Sequence, residues 1–445
     1  MAQVFPFQAF RFNPQVAPFD RVLTQPYDKI SPERQAEYYA MHPQNLIVVE
    51  KGRALPSDST QDNVYTRAYA KVEEWIRDHI VLQDAAPAFY AYAQEFTVPG
   101  SSEKRTRRGF IGAGKLEEYS AGVIFRHEHT LSGPKADRLE LLRHTLMHTG
   151  QLFMLYSDPQ KRLDTVLAEA ESSAAPATEL TDEYGVIHRL WAISDPQRVQ
   201  TIQQAMADQK LVIADGHHRY ETALNYRNER RAAATSSDPN AAYERAMMTF
   251  VNTHSEGLVI LATHRVVANV HDFSWSAIRR YLEPWFSSEA FPFTNDSEKS
   301  QAREKFLARL AATAKQRSIG AYPLAEGQRA FYLFQMRPGA LLDQLLPGVP
   351  ALQRELDVVL LHDGILEPAL GITLQAATKE MNLTYEREAS AAIAAVDSGR
   401  AQVSFFLNPV DVEKVMQIAT ANEVMPQKST DFYPKLLSGI AMYRV

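Results

Sequence analysis

The chain has 445 residues, of which 45% are hydrophobic and 22% are charged, and its formal net charge is −6 at pH 7. This composition predicts a folded protein of two or three domains, and the negative charge argues against a basic face for nucleic acid. The absence of cysteine excludes disulfides, thiolate metal sites and cysteine nucleophiles. No apolar run approaches the ~20 residues of a membrane span, and the first residues lack a signal-peptide pattern. We therefore expect a cytoplasmic protein with no membrane or nucleic-acid partner.

The first 120 residues alternate short predicted helices and strands. Apolar residues at helical spacing predict helices over residues 31–41 and 63–79, and apolar runs predict strands at 89–92 and 109–113. Four basic residues between these strands are expected to form the solvated tip of a hairpin: Lys104, Arg105, Arg107 and Arg108. This part of the chain is predicted to be an N-terminal α/β region, residues 1–120.

The rest of the chain continues the alternation of strands and helices. In the middle region, residues 121–270, strands are predicted at 123–125, 152–156, 185–193, 211–214, 247–252 and 258–261, with helices at 137–143 and 196–207 and a third starting at Glu221. The C-terminal region, residues 271–445, is predicted to begin with helices at 276–285 and 299–317 and to continue through strands at 330–335 and 403–407. This pattern predicts the α/β (α+β) class, with mixed sheets and flanking helices.

The segment LVIADGHHRYETAL, residues 211–224, is the most informative part of the sequence. Its apolar start predicts a buried strand that stops at Asp215-Gly216, and a helix is expected to follow. Backbone N–H groups at a helix start favour phosphate oxygens, and Arg219 can hold such an anion through two parallel hydrogen bonds. The segment therefore predicts a phosphate-binding corner.

Two further strand ends carry charged or imidazole side chains. The segment 127–129 reads HEH; if it is extended, His127 and His129 point one way and Glu128 the other, which suits either a metal pair or a catalytic glutamate. The segment 263–265 reads THR and brings His264 and Arg265 to a third strand end. Such ends are expected to line one cleft of an α/β sheet, with the loop at 428–430 near its rim.

The corner resembles the phosphate-binding corner of the ParB/sulfiredoxin-like fold, which reads like GCHRY in sulfiredoxin and like DGHHR in the free-serine kinases of the same superfamily. The wider pattern is similar to a large bacterial and archaeal family known as a domain of unknown function. Its motifs stand here as QPYDKIS (25–31), HEHTLSGPKADRLELLR (127–143), IADGHHRYETAL (213–224), GLVILATHRVV (257–267) and MPQKSTDFYPKLLSG (425–439).

This resemblance implies a ParB/sulfiredoxin-like core with added N- and C-terminal α/β regions. It implies a kinase that transfers a phosphoryl group from ATP, ADP or pyrophosphate, with Mg²⁺, to the hydroxyl of free L-serine. His217 stands where sulfiredoxin has its reactive cysteine, so sulfinic acid reduction is excluded. The kinases use a glutamate upstream of the corner, in a segment that reads like PHE, and Arg126-His127-Glu128 is the best match here.

The expected roles follow from this match and from the chemistry of phosphoryl transfer. The catalytic residues are Glu128 as general base, His218, and Asp215 as a Mg²⁺ ligand or as the residue that fixes the corner. The residues expected to bind the phosphate donor are Gly216, His217, His218, Arg219, Tyr220, His264, Arg265, Lys428, Ser429 and Thr430. The residues expected to bind the acceptor are Tyr27, Asp28 and His127.

Two alternatives remain open from the sequence. One is a metal-dependent hydrolase that uses the histidines of HEH and DGHH on a transition metal. The other is a non-catalytic, ParB-like nucleotide-binding module, against which the negative net charge counts. The phosphate donor, the acceptor and the oligomeric state, with a homodimer as one option, are also left open.

Overall fold

The computed structural model of the chain describes residues 1–128, 133–236, 238–324, 327–373, 376 and 381–445, and only the backbone of residues 133 and 134. The chain forms two compact units, one of residues 1–259 with 434–445 and one of residues 260–433. Both contain sheets and helices, so the predicted α/β (α+β) class is confirmed. The finer division of the chain at residues 120 and 270 stays a prediction.

The first unit contains a large mixed sheet. The strands of this unit are Val4–Phe5 (β1), Phe10–Phe12 (β2), Val81–Gln83 (β3), Phe89–Thr97 (β4), Lys104–Lys115 (β5), Ile124–Phe125 (β6), Met147–His148 (β7), Leu152–Tyr156 (β8), Thr178–Thr181 (β9), Ile187–Ile193 (β10), Leu211–Asp215 (β11) and Arg245–Asn252 (β12). The order across the sheet is β6-β11-β8-β12-β5-β4-β10-β9, with β1 beside β5. The pairs β6/β11 and β8/β12 are parallel, and the other neighbours are antiparallel.

The helices of this unit begin where the sequence supplies caps. They are Phe19–Val22 (α1), Pro32–Met41 (α2), Ile47–Glu50 (α3), Val64–Arg77 (α4), Gly133–Thr145 (α5), Asp164–Ser173 (α6), Pro196–Ala207 (α7) and His217–Ala233 (α8). Ser31, Asn63 and Asp195 accept hydrogen bonds from backbone N–H groups in the first turns of α2, α4 and α7. These three helices confirm the sequence prediction, whereas α5 starts four residues earlier than predicted.

The core of the first unit lies where these helices cover the sheet. Phe110 of β5 stacks on Phe250 of β12 with ring centroids 4.9 Å apart, and both side chains are fully buried. Ile213 of β11 is buried in the same cluster, which also includes Tyr220 and Leu224 of α8. Burial of these side chains holds the end of β11 and the start of α8 in a fixed relation.

The predicted basic hairpin tip is wrong, because all four residues lie within β5 and the turn precedes them. Arg107 is 1% exposed. Its guanidinium donates to the side-chain oxygen of Gln94 and to the carbonyl of Pro434, and it lies 4.6 Å from the ring centroid of Phe153. Burial lowers the pKa of Arg107 to about 10. A buried arginine is tolerated here because polar partners satisfy its donors.

The second unit is built on an antiparallel sheet. The strands of this unit, the first of which begins one residue before the boundary, are Val259–Leu261 (β13), His264–Val267 (β14), Phe286–Pro292 (β15), Ser318–Pro323 (β16), Ala330–Met336 (β17), Leu383–Glu386 (β18), Val403–Phe406 (β19) and Asp431–Tyr433 (β20). The sheet order is β15-β17-β16-β19-β14-β18. Phe306, Phe331 and Phe406 are fully buried in its core.

The helices of the second unit are Trp275–Leu282, Asp296–Ala312, Leu342–Leu345, Asp357–Leu361, Glu367–Leu370, Ala389–Asp397 and Val412–Thr420, with a π-helical segment His362–Leu366. The first two confirm the helices predicted at the start of this region. The chain then returns to the first unit and ends in Tyr443–Arg444 (β21), which pairs with β7. Across the described ranges, no helix is both long and apolar enough to cross a membrane.

Candidate active site

The predicted strand–turn–helix at residues 211–224 is confirmed, although its helix begins at His217, four residues before the predicted start at Glu221. β11 ends at Asp215, Gly216 adopts a left-handed conformation with φ of 94°, and the 17-residue helix α8 starts at His217. The Gly216 N–H donates to Oδ1 of Asp215 over 2.9 Å. No side chain caps this helix, so the N–H groups of its first turn, which have no acceptor within the helix, can donate to an anion at the corner.

Substitution of Gly216 by alanine is expected to destabilise the protein by roughly 1–3 kcal/mol, because an L-residue at this φ is strained. A Cβ would also lie 3.1 Å from Nη2 of Arg219 and from Cδ2 of Leu152. Chemical denaturation measures the loss. Gly185→Ala is the matched control, since Gly185 has φ of 76° and no atom lies within 4 Å of the place that its Cβ would take. Equal losses in the two variants would contradict a packing contribution at the corner.

Asp215 lies between two cations at this corner. Its Oδ2 is 3.6 Å from Nζ of Lys435 and 3.9 Å from Nη2 of Arg219. Burial alone would raise the pKa of Asp215, but the charges of Lys435, Arg219 and Lys29 outweigh it and hold this pKa well below its usual range. Asp215 is therefore a permanent anion that organises the surrounding cations.

The segment that carries Lys435 is fixed by buried side chains of the main sheet. Arg107 of β5 donates to the carbonyl of Pro434. Gln94 of β4 donates to the carbonyl of Lys435 over 2.9 Å, and its own side-chain oxygen accepts from Arg107. Both partners of this backbone are buried, so the sheet sets the distance between Lys435 and Asp215.

Arg219 lines a small cavity beneath the corner. Its Nη1 donates to the carbonyl of Gln151. The cavity has a volume of about 40 Å³, which is room for about three waters and too little for a nucleotide. Its lining includes Glu50, Arg138, His148 and Gly150. A phosphate donor would therefore not fit inside this cavity.

Glu50 places a buried carboxylate in that cavity. The side chain is 2% exposed, and it accepts hydrogen bonds from Thr149 and from Ser438, the latter over 3.2 Å. A Cβ at Gly150 would lie 3.1 Å from Nη1 of Arg219 and 3.7 Å from Oε1 of Glu50. Gly150 thus lets the guanidinium and the carboxylate approach the same point.

Two histidines pack against each other behind the helix start. The rings of His127 and His217 meet edge to face with centroids 4.7 Å apart. Nδ1 of His127 donates to the carbonyl of Ile213 over 2.6 Å, which makes Nε2 the acceptor of the neutral ring. Burial lowers the pKa of His127 to about 4 and that of His217 well below its usual value. Both rings are neutral at pH 7.

Two histidines with lowered pKa values, His127 and His148, predict that stability falls in mild acid. An unfolded histidine binds a proton below about pH 6.5, whereas folded His127 and His148 resist protonation down to about pH 4, because burial lowers their pKa values. The unfolded chain thus binds more protons, and the free energy of unfolding should drop by about 1.4 kcal/mol per pH unit and per histidine between pH 6.5 and 4.

Urea denaturation at pH 7 and pH 5 measures this slope. The variant His148→Gln should reduce this dependence on pH by the contribution of one histidine. His271→Gln, at a ring that is almost fully exposed, should keep the full slope. A free energy of unfolding that does not change between pH 7 and 5 would contradict the buried neutral rings.

The turn Tyr27–Lys29 lies within electrostatic range of the corner. Burial raises the pKa of Tyr27 to about 12, while the charges of Arg219 and Arg138 oppose that rise. Burial also lowers the pKa of His218, and the charge of Asp28 acts in the opposite direction. The ring of Tyr27 stacks 4.4 Å from the guanidinium carbon of Arg138. Tyr27 and Asp28 therefore belong to the surroundings of the 215–219 corner, and acceptor binding by them stays a prediction.

The sequence of most of the chain, residues 4–359, matches the family described as "Protein of unknown function (DUF1015)". The chain belongs to this family. No curated protein matches the DUF1015 chain.

Several solved structures are similar to the chain at a low level. A free serine kinase in complex with AMP is 13% identical, with a TM-score of 0.32, and the alignment covers 70% of this chain and 83% of that one. A conserved hypothetical protein from Pyrococcus furiosus is 14% identical, with a TM-score of 0.30 and coverage of 70% and 87%. C-terminally truncated SbnI from Staphylococcus aureus is 10% identical, with a TM-score of 0.32 and coverage of 74% and 85%. Similarities of this degree establish neither a shared fold nor a shared function.

Tyr220, one of the predicted donor-binding residues, turns inward. Tyr220 is fully buried, and its hydroxyl donates to the carbonyl of Glu117 over 2.6 Å and accepts from the Glu117 N–H over 3.1 Å. Tyr220 lies on the same face of α8 as Leu224, one turn further along, and both side chains are buried in the core cluster of the first unit. Its predicted contact with the phosphate donor is therefore corrected to an anchoring role for the helix.

The predicted strand exit at His264 and Arg265 is also corrected. Both residues lie within β14 and are buried. Nδ1 of His264 accepts from the Leu407 N–H over 3.4 Å, and burial lowers the pKa of His264 to about 4. The run at 258–261 breaks before Thr263, and His264 starts a new strand that pairs with a strand on each side.

Within the second unit, Arg265 does approach the polar loop predicted to accompany it. Its Nη2 donates to the carbonyl of Lys428 over 3.1 Å. Lys428 is exposed and left-handed, with φ of 59°. Ser429 is 5% exposed and donates to the carbonyl of Pro426, and Thr430 is half-buried. Donor binding by these residues stays a prediction, because they belong to a different unit from the 215–219 corner.

Glu128 follows the strand next to β11. In the parallel register Phe125 pairs with Val212, so the chain beyond Phe125 runs along the end of β11, where His127 bonds Ile213. Glu128 is half-buried. His129 lies outside the described residues. Among the residues described at this corner, no three histidine, aspartate or glutamate side chains bring ligand atoms within 4.8 Å of one another.

Lys435, Glu50 and Arg138 are the residues of this site that sequence reasoning did not assign. Lys435 stands in the motif MPQKSTDFYPKLLSG. The sequence analysis assigns its first lysine, Lys428, to donor binding, whereas the second, Lys435, is the one that reaches Asp215. Its position after a proline was an available signal. For Glu50 and Arg138 no local pattern existed, because each owes its place to packing between distant segments.

Proposed function

We propose that the protein is a small-molecule kinase that transfers a phosphoryl group from a nucleotide or pyrophosphate to the hydroxyl of free L-serine. The observation that carries the proposal is the corner at 215–219. A 17-residue helix follows Gly216 there, and the cations Arg219 and Lys435 lie near Asp215. The motif ADGHHRY at this corner resembles that of the free-serine kinases. A cytoplasmic location and the absence of a nucleic-acid partner belong to the same proposal.

The donor's phosphates are proposed to bind at the start of α8. The N–H groups of residues 217–219 supply hydrogen bonds along the helix axis, and the positive end of the helix dipole favours negative charge. Lys435 and Arg219 add two cations near the same point. Neutral His218, whose pKa burial lowers, can donate or accept one further hydrogen bond.

Glu128 is proposed as the general base that takes the proton of the serine hydroxyl. Asp215 is unsuited to this role, because a carboxylate whose pKa lies well below its usual range accepts a proton poorly at neutral pH. Glu128 is half-buried and follows His127, whose hydrogen bond to Ile213 fixes the chain at the end of β11. Glu50, in the cavity beside Arg219, is the next carboxylate available.

The surroundings of Asp215 do not fit a protein-held Mg²⁺ site. Oδ1 accepts from the Gly216 N–H, and Oδ2 faces the cations Lys435 and Arg219. Mg²⁺ prefers several oxygen ligands and keeps its waters, whereas this corner offers one carboxylate already matched by positive charge. We therefore assign Asp215 to holding Lys435 and Arg219 in place, and no step of the proposed reaction passes through Mg²⁺.

The test is a direct assay of the purified full-length protein. It is incubated with ATP, ADP or pyrophosphate in turn, with Mg²⁺ and a mixture of amino acids, and the products are separated by mass. We expect O-phosphoserine with one of the donors and no phosphothreonine at comparable rate. Absence of any phosphorylated amino acid with all three donors would overturn the proposal, and release of phosphate without such a product would indicate a hydrolase.

A further inference from the structure

A second group of ionisable side chains lies in the other unit, on a π-helical segment. Three segments follow one another there without a break: the α-helix Asp357–Leu361, the π-helical turn His362–Leu366 and the α-helix Glu367–Leu370. π-Helical turns are rare and frequently mark functional positions. The family match ends at residue 359, so this segment is not covered by it.

The π-helical turn changes which residues share a face. On a regular α-helix, residues five apart point about 140° away from each other, and His362 and Glu367 would not meet. In a π-helix, residues five apart are roughly one turn apart, which aligns these two side chains. Asp363 and Glu367 are four apart, again roughly one turn. One ligand atom of each of His362, Asp363 and Glu367 lies within 4.8 Å of the others.

His362 supplies an observation that is independent of the acidic residues. Its side chain is 7% exposed, and its buried Nε2 has no hydrogen-bond partner among the residues that the structure describes. A buried polar atom without a partner costs roughly 1–3 kcal/mol, so such an atom calls for an explanation.

The two carboxylates lack a compensating cation of their own. No ion pair joins either carboxylate to a lysine or arginine within the described ranges. Arg265 is near enough to influence His362, but it bonds the carbonyls of Thr263 and Lys428. Two carboxylates held side by side beside an imidazole favour a bound cation.

We propose that His362, Asp363 and Glu367 bind one divalent transition-metal ion, Zn²⁺ or Mn²⁺. One imidazole with two carboxylates is a donor set that suits these ions better than Mg²⁺ or Ca²⁺, which prefer oxygen alone. Ligand atoms around a tetrahedral ion lie about 3.4 Å apart for bonds of about 2.1 Å, a spacing that small side-chain rotations can reach here. Three protein ligands leave a coordination position for water or a substrate oxygen.

The proposal is tested by calorimetric titration of the full-length protein with ZnCl₂ and, separately, MnCl₂, after dialysis against a chelator. We expect one ion bound per chain. Glu367→Gln should weaken binding roughly tenfold or more, because it removes a charged ligand at an exposed position. His362→Gln should have at least the same effect. Neither measurement depends on kinase activity, so the outcome is separate from that of the proposed function.

Matched controls separate this site from weak binding elsewhere. His271→Gln and Glu413→Gln replace an exposed histidine and an exposed glutamate of the same unit, and both should bind the ion as the unchanged protein does. His218→Gln reports on the 215–219 corner and should also leave binding unchanged. Circular dichroism checks each fold; if His362→Gln fails to fold, Glu367→Gln decides. Absence of binding, or unchanged affinity in Glu367→Gln, overturns the proposal.

Discussion

Replacing Glu128 by glutamine is expected to lower kcat by a factor of roughly 10²–10⁴ while donor binding stays nearly unchanged. Glutamine keeps the size and the hydrogen-bonding shape of the side chain but cannot accept the proton of the serine hydroxyl. Donor phosphates, by contrast, are proposed to bind at Arg219, Lys435 and the start of α8. Steady-state kinetics with saturating serine measure kcat, and nucleotide titration measures donor affinity.

The control for this prediction is Glu103→Gln, at an exposed residue that pairs with Arg105 beside the β4–β5 turn. It should leave both quantities unchanged. Full activity in Glu128→Gln would remove Glu128 from the base role. Glu50→Gln would then be the next variant, provided that its loss of activity exceeds its loss of stability, since Glu50 also accepts hydrogen bonds from Thr149 and Ser438.

Replacing Arg219 by alanine is expected to weaken donor binding roughly 10–100-fold, because a phosphate loses a charged hydrogen-bonding partner worth about 1.5–3 kcal/mol. Arg219→Lys should fall between alanine and the unchanged protein, since it keeps the charge but not the planar fork. Calorimetric titration with each nucleotide measures the affinity. Together with Glu128→Gln, this variant separates phosphate binding from proton transfer.

Arg219 also has a structural contact, so stability must be measured beside affinity. Its guanidinium donates to the carbonyl of Gln151, and the alanine variant leaves that acceptor without this donor. Arg77→Ala is the control, because Arg77 is 70% exposed and pairs only with its neighbour Asp78 among its described contacts. Unchanged donor affinity in a folded Arg219→Ala variant would refute the proposed phosphate contact.

Local patterns were enough to predict the elements that depend on neighbouring residues. The apolar run LVIA favours a buried strand and Gly216 permits a left-handed turn, so β11, the turn and a following helix could be derived from one short segment. The same holds for α2, α4 and α7, whose starts carry capping side chains at Ser31, Asn63 and Asp195. In each case the deciding interaction spans four residues or fewer.

Other features depend on partners that are distant in the sequence. The basic run at 104–108 is typical of a solvated turn, yet Arg107 is buried because Gln94 and the carbonyl of Pro434 satisfy its donors. Likewise, β14 is an interior strand that pairs on both sides, and its His264 and Arg265 are buried. A sequence pattern reports the cost of burying such groups but not the compensating contacts.

The sequence by itself determined the α/β class and the position of the 215–219 corner, because both follow from apolar periodicity and a glycine at a strand–helix junction. Only the tertiary structure decided which charges surround Asp215. Lys435 reaches it from the last residues of the chain, on a backbone that Gln94 and Arg107 hold. Electrostatic interactions act through space over a few ångströms, so the residues that tune this site are selected by how the sheet brings distant segments together.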